Sequence, residues 1–255
     1  MKQISICADD YGYSAGMSEA IRILIQNKRI SATSAMTSLA IWPEEGVKLK
    51  ELIGEAQLGL HFDLTSSIAP LSQWLMKSAL RRIDTGFVRD ELRRQLDQFT
   101  AVMGILPEHF DSHQHVHTFP QIREVVTQVL GEYYPEKNVP VRSLQDCMPA
   151  PDSAFKAWMI KQFSKGFHPE NLRFPHNPSF GGIYSFSIEK PFAEHLDEWL
   201  DIAPNNTLLM VHPGIGDAID GDEIHEARSH EFEYLNSSAF AEKLESLGIE
   251  LGSFG

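Results

Sequence analysis

The sequence predicts an α/β fold in one domain over residues 1–255, built on a largely parallel sheet that is either open or closed into a barrel. Three observations predict it. β-prone runs alternate with amphipathic stretches along the chain, the pattern of βα units. No repeat, low-complexity tract or obvious linker interrupts that alternation. Four polar clusters, ADD, LHFDLT, FDSHQHVH and MVHPG, each lie at or just beyond the end of a predicted strand. In parallel α/β folds those ends converge on the face that carries the active site.

The elements follow in order. Residues 3–8 (QISICA) form a β-prone run, and the turn-like DYGYSAG leads into a helix from about Met17 to Asn27. Ser14 is its expected N-cap, and Ile21, Ile23 and Leu24 supply its apolar stripe. ISATSAM (30–36) reads as a second strand, 44–53 as a second helix, and AQLGLHFDLT (56–65) as a third strand with a polar end. Residues 88–103 are the clearest helix, with Leu92, Leu96, Phe99 and Met103 on one face, and Pro107 ends that stretch. Beyond it come a helix near 120–131, a strand at VPVRSL (139–144), helices at 153–164 and 191–201, the strand TLLMVHPG (207–214), a helix over 229–246 and a terminal strand IELGS.

Composition narrows the function. A formal charge of -13 disfavours nucleic acid or an anionic membrane as partner and fits an enzyme acting on a neutral substrate. No apolar run approaches the length of a membrane span, and MKQISICADD meets charge too early for a signal peptide. Cys7 and Cys147 make neither a disulfide framework nor a CxxC site, so a reduced, cytoplasmic compartment is expected.

In HFDSHQHVH (109–117), Asp111, His113, His115 and His117 occupy alternate positions; they point one way if the chain stays extended and fan out if it turns after Ser112. His109 is out of phase and reads as structural. A polar loop whose imidazoles cap a helix near Pro120 is the plain alternative, but four histidines and an aspartate in nine residues favour metal binding or catalysis. No HExxH or Cys-rich motif is present, so a metal site must be assembled from separate strand ends. One aspartate of the Asp9–Asp10 pair, His61 and one histidine of DSHQHVH make a two-His, one-carboxylate set with positions open for water or substrate. The other aspartate would then stand beside the bound water as a base, the metal offsetting the repulsion between the two. His212, held between an apolar strand and the Pro213–Gly214 turn, suits proton donation to a leaving group, and a capping role fits it equally. Arg142 is a further polar group at a strand end and an ion-pair candidate for an aspartate.

The ordered set CADDYG, GLHFDLT, FDSHQHVH and VHPG resembles the YdjC-like carbohydrate deacetylases, the family of chitooligosaccharide deacetylase, from Ser5 to about Ser253. ISATSAM and the R-x-x-E-x-x-x-L pattern at Arg228, Glu231 and Leu235 extend it. The resemblance implies a distorted (β/α) barrel related to that of polysaccharide deacetylases, often dimeric, acting as a divalent-metal hydrolase on N-acetylated sugars. It implies Asp10, His61 and His113 as metal ligands, Asp9 as base and His212 as general acid. His115, His117 and Arg142 are expected to line the substrate pocket, and one Mg²⁺ or Zn²⁺ is the expected cofactor. The family more often has Asn and Phe where this chain has Cys7 and Tyr11, and residues 66–87 and 144–190 look shorter than in the chitooligosaccharide enzyme, which leaves the sugar open. The rival readings are a metal-dependent phosphoesterase on a similar barrel and a sugar- or metal-binding protein without turnover.

Overall fold

β1 (Lys2–Tyr11) is buried without a break from Ile4 to Tyr11, as a parallel strand covered on both faces requires. It is the hub of the computed structural model, which describes residues 2–255 except 67, 137, 149, 154–157, 159–161, 163–173, 217, 218 and 220. α1 (Ala15–Gln26) follows; Ser14 caps it by accepting the Met17 N–H, and it buries Ile21, Leu24 and Ile25, leaving Ile23 on its flank. β2 (Ala32–Ala35), α2 (Trp42–Lys50) and β3 (Gln57–Phe62) continue the alternation.

After β3 comes a helix the sequence pattern did not announce, α3 (Leu71–Ala79). The long α4 (Thr85–Met103) starts at an Asp84 cap, ends on the left-handed Gly104, and buries Val88, Leu92, Leu96, Phe99 and Met103 against the sheet. β4 (Phe110–Ser112), a 3-10 turn (His113–Thr118) and α5 (Ile122–Tyr133) come next. Then follow β5 (Cys147–Met148), β6 (Phe180–Gly181), α6 (Phe192–Ile202), β7 (Thr207–Val211), α7 (His225–Leu235), α8 (Ser238–Ser246) and β8 (Ile249–Leu251). The single helix expected over 229–246 is thus two, because Ser237 leaves the helical path and caps the second by accepting the Phe240 N–H. The helix expected at 153–164 lies largely outside the described residues.

Every strand pairing among the described residues is parallel, in the order β4-β3-β2-β1-β7-β6-β5, with β8 beside the start of β1. The strand expected at VPVRSL is reduced to one bridge. Phe110 donates to the Pro140 carbonyl (2.8 Å) and accepts from the Arg142 N–H (3.0 Å), and Pro140 has no N–H to extend the ladder. The same segment then crosses to pair at Cys147–Met148 with β6. Residues 141–148 therefore lean on β4 at one end and β6 at the other, which curls the sheet into a distorted barrel. A small apolar cluster of Cys7, Ala32, Leu144, Phe180, Leu208 and Phe254 is separate from the main core packed under the helices. No helix among the described residues is long and apolar enough to cross a membrane.

Candidate active site

The Asp9–Asp10 pair sits on an irregularity at the end of β1. Ala8 pairs with Thr33 and Tyr11 with Ala35, so three residues advance on β1 against two on β2, and Asp10 takes a left-handed φ of 66°. Such a bulge breaks the strict alternation of a strand and re-aims a side chain, which lets neighbouring carboxylates serve one site.

Around Asp10 the geometry is that of a three-ligand cluster. His61 Nε2 lies 3.3 Å and His113 Nδ1 3.0 Å from Asp10 Oδ1. One donor atom from each of the three residues falls within 4.8 Å of the others. They come from β1, from β3 and from the turn after β4. His61 and Asp111 are register partners, and Asp111 Oδ1 accepts a hydrogen bond from His61 Nδ1 at 2.7 Å. That bond turns Nε2 toward Asp10, the carboxylate–histidine arrangement that orients metal-binding imidazoles. Two imidazole nitrogens and a carboxylate facing a common point fit a divalent cation. Burial works against a charged His61, yet Asp111 and Asp9 outweigh it and push the ring up to about 10, so the cluster draws positive charge to this point. Burial likewise opposes the Asp10 carboxylate, but Arg228 and His113 hold it well below the usual range.

Asp9 lies beside this cluster, its Oδ2 3.9 Å from His61 Nε2. Arg142 donates to both of its oxygens, at 2.7 and 2.5 Å, and bridges it to Asp111. Burial nonetheless raises the Asp9 pKa, the Arg142 and His61 charges offsetting only part of the cost.

The remaining expected residues divide. His113 and His117 do not share a direction, because the chain turns after Ser112 with Gln114 and His115 in the left-handed region. His117 is fully buried; its Nε2 donates to the Arg142 carbonyl (3.1 Å) and its Nδ1 accepts from Ser112 Oγ (2.6 Å). It props the Arg142 main chain. Arg142, also 0% exposed, is the ion-pair partner of Asp9 and Asp111. His115 is buried edge-on against Phe180, with ring centroids 5.7 Å apart. His109, read as structural, packs on Phe254 and opposite Gly59, where an added Cβ would come within 2.3 Å of its ring.

Residues the sequence reading left without a role complete the site. Arg228 donates to Asp10 Oδ2 (2.8 Å) and through Nε to both oxygens of Asp222. Glu231, one helical turn on, is fully buried and accepts from Tyr184 Oη (2.6 Å) and from the His212 N–H. The signal was the R-x-x-E spacing itself, which puts both side chains on one face of a helix. Burial pushes Glu231 up to about 7, Tyr184, the His212 N–H and Arg228 offsetting only part of it.

That shift has a consequence for stability. A carboxyl raised from 4.5 to about 7 stabilises the fold fully below 4.5 and loses that contribution as pH rises through about 7. Glu231→Gln should therefore raise the melting temperature at pH 8, by up to about 3 kcal/mol in stability at 1.36 kcal/mol per unit, and change little near pH 5. Thermal unfolding of both proteins at the two pH values checks it; a less stable Gln variant at pH 8 would show the charge to be net stabilising.

A family model described as YdjC-like protein matches residues 3–246. A chitooligosaccharide deacetylase of Yersinia pestis (strain Pestoides F) is 27% identical, the alignment covering 99% of this chain and 98% of that one. Among solved structures, a proposed cellobiose-phosphate cleavage protein of Enterococcus faecalis V583 superposes with a TM-score of 0.72 at 19% identity, over 98% of this chain and 96% of the other. A family 4 carbohydrate esterase from Streptomyces lividans, solved with acetate, gives 0.55 at 11% identity over 99% and 92%. These likenesses are to the same distorted barrel.

Proposed function

The chain belongs to the YdjC-like protein family, and from that premise we propose that it is a metal-dependent carbohydrate deacetylase hydrolysing the acetamido group of N-acetylated sugars. The observation that carries this reading is the meeting of Asp10, His61 and His113 at one point with Asp9 beside them. The name of the Yersinia pestis relative supports the substrate class.

In this reading Asp10, His61 and His113 would hold one divalent cation, which would supply Lewis-acid polarisation of the acetyl carbonyl and a lower pKa for the attacking water. Imidazole donors suit Zn²⁺, and Mg²⁺ is the oxygen-preferring alternative. Asp9, fixed by Arg142 and raised by burial, takes the proton as the water oxygen bonds to the carbonyl carbon. His212 gives a proton to the sugar nitrogen as the C–N bond breaks, leaving acetate and the amino sugar. The phosphoesterase alternative calls for ligands to two or more metals and, beyond the metals, a cationic side chain free to meet the phosphoryl group. Arg142 and Arg228, the two arginines at this cluster among the described residues, are already bonded to Asp9, Asp111, Asp10 and Asp222.

The test is acetate release against phosphate release on a panel of N-acetylglucosamine oligomers and sugar phosphates. We expect acetate only, abolished by a chelator and restored by Zn²⁺ or Mg²⁺. Efficient phosphate release, or deacetylation indifferent to chelation, would overturn it.

A further inference from the structure

The helix α7 holds His212 by both polar groups of its main chain. Glu231 accepts its N–H, Arg228 Nη1 reaches its carbonyl oxygen at 3.5 Å, and the Arg228 carbonyl accepts the Gly214 N–H at 3.1 Å. Arg228 simultaneously grips Asp10. One helical turn thus fixes the distance between the strand end that carries Asp10 and the loop that carries His212. Packing alone does not explain Glu231. It is 0% exposed and, among the described residues, forms no ion pair with a lysine or arginine. Burying a charge on those terms is costly, and a glutamine would fill the same space.

We infer that Glu231 is a positioning residue for His212, setting the imidazole against the scissile amide and favouring by its charge the imidazolium that must give up a proton. The inference rests on the reading of His212 as proton donor. The groups that face Glu231 are Tyr184 from the loop after β6, His212 from the loop after β7, Arg228 on its own helix and, across the site, Asp9, with Asp222 acting through Arg228. Glu231→Gln keeps the geometry available. The amide oxygen can accept from His212, and the amide nitrogen can donate to a Tyr184 hydroxyl that has rotated.

The signature of such a role is dependence on the leaving group. An amino sugar must be protonated to depart, whereas the phenolate of p-nitrophenyl acetate leaves without a proton. In the metal-loaded full chain, Glu231→Gln should lower the ratio of sugar-amide to p-nitrophenyl acetate turnover about 10–100-fold, the scale of a misplaced catalytic group. Tyr184→Phe keeps the carboxyl but removes the bond that helps hold it ionised, so it should lower the ratio by less than Glu231→Gln does, and by less still as the pH is raised. By NMR titration of the metal-free proteins, the His212 pKa should fall by about one unit in Glu231→Gln. If amide and ester turnover fall together, or the ratio and the His212 titration both stay unchanged, the inference is wrong. If the unaltered protein cleaves no acetylated sugar, the deacetylase reading fails instead, and the His212 titration alone decides whether Glu231 acts on it. Should Glu231→Gln not fold, Glu231→Asp, which keeps the charge and withdraws the carboxylate, is expected to lower the ratio, and an unchanged ratio overturns the proposal.

Discussion

Asp9→Asn is expected to keep its metal and lose about 10²–10⁴-fold in deacetylation, the usual worth of a general base. Asp10→Asn is expected to lose the metal. The two aspartates are neighbours in sequence, but their partners differ. Asp10 Oδ1 faces His61 and His113 while Oδ2 is held by Arg228, so an amide must turn its NH₂ either into the ligand cluster or against the guanidinium. Either orientation weakens the site by more than the 10–100-fold typical of losing an outer partner of a metal ligand. Asp9 takes Arg142 donors on both oxygens, so Asp9→Asn also sets an NH₂ against a guanidinium N–H and should cost stability, with the three-ligand set intact. Excess metal should partly restore Asp10→Asn and leave Asp9→Asn inactive. Metal content and acetate release in the two purified variants decide it: a metal-free Asp9→Asn beside a metal-loaded Asp10→Asn would reverse the roles, and full activity in both would move the site elsewhere.

What made these residues legible was the alternation of strands and helices. Once β1, β3 and β4 are read as parallel strands, their polar ends must share a face, and His61, Asp111 and the aspartate pair follow without any local motif. What stayed hidden depends on single residues or on distant contacts. The extra residue at Asp9–Asp10 leaves no trace in a hydrophobic period, yet it breaks the alternation that would send the two carboxylates to opposite faces. In DSHQHVH the sequence left an extended chain and a turn after Ser112 both open, and the left-handed Gln114 and His115, which decide for the turn and send His117 behind Arg142, carry no signal of their own. The closure by residues 141–148 rests on two-residue strands too short to carry a pattern. Arg228 reaches Asp10 across 218 positions of sequence, a contact that only the fold defines.

Arg142→Met is the substitution expected to cost the most stability, about 3–5 kcal/mol, because it leaves buried carboxylates without their counter-charge. The guanidinium is 0% exposed and bonded to both oxygens of Asp9 and to Asp111, with the Cys7 Sγ at 3.5 Å. At roughly 2–4 °C per kcal/mol for a domain of this size, the melting temperature should fall by about 6–20 °C. Two dependences identify the cause as charge and not lost volume. The deficit should shrink as pH falls, since Asp9 and Asp111 protonate more readily once Arg142 is gone, and it should shrink when a divalent cation fills the site and supplies positive charge nearby. Arg142→Lys keeps a charge but not the two-pronged contact, so it should lose less stability than the Met variant. Thermal unfolding of both variants across pH, with and without metal, gives the answer. If instead both melt like the unaltered protein and only KM for the sugar rises, Arg142 contacts substrate and its burial beneath the site is not what holds Asp9 in place.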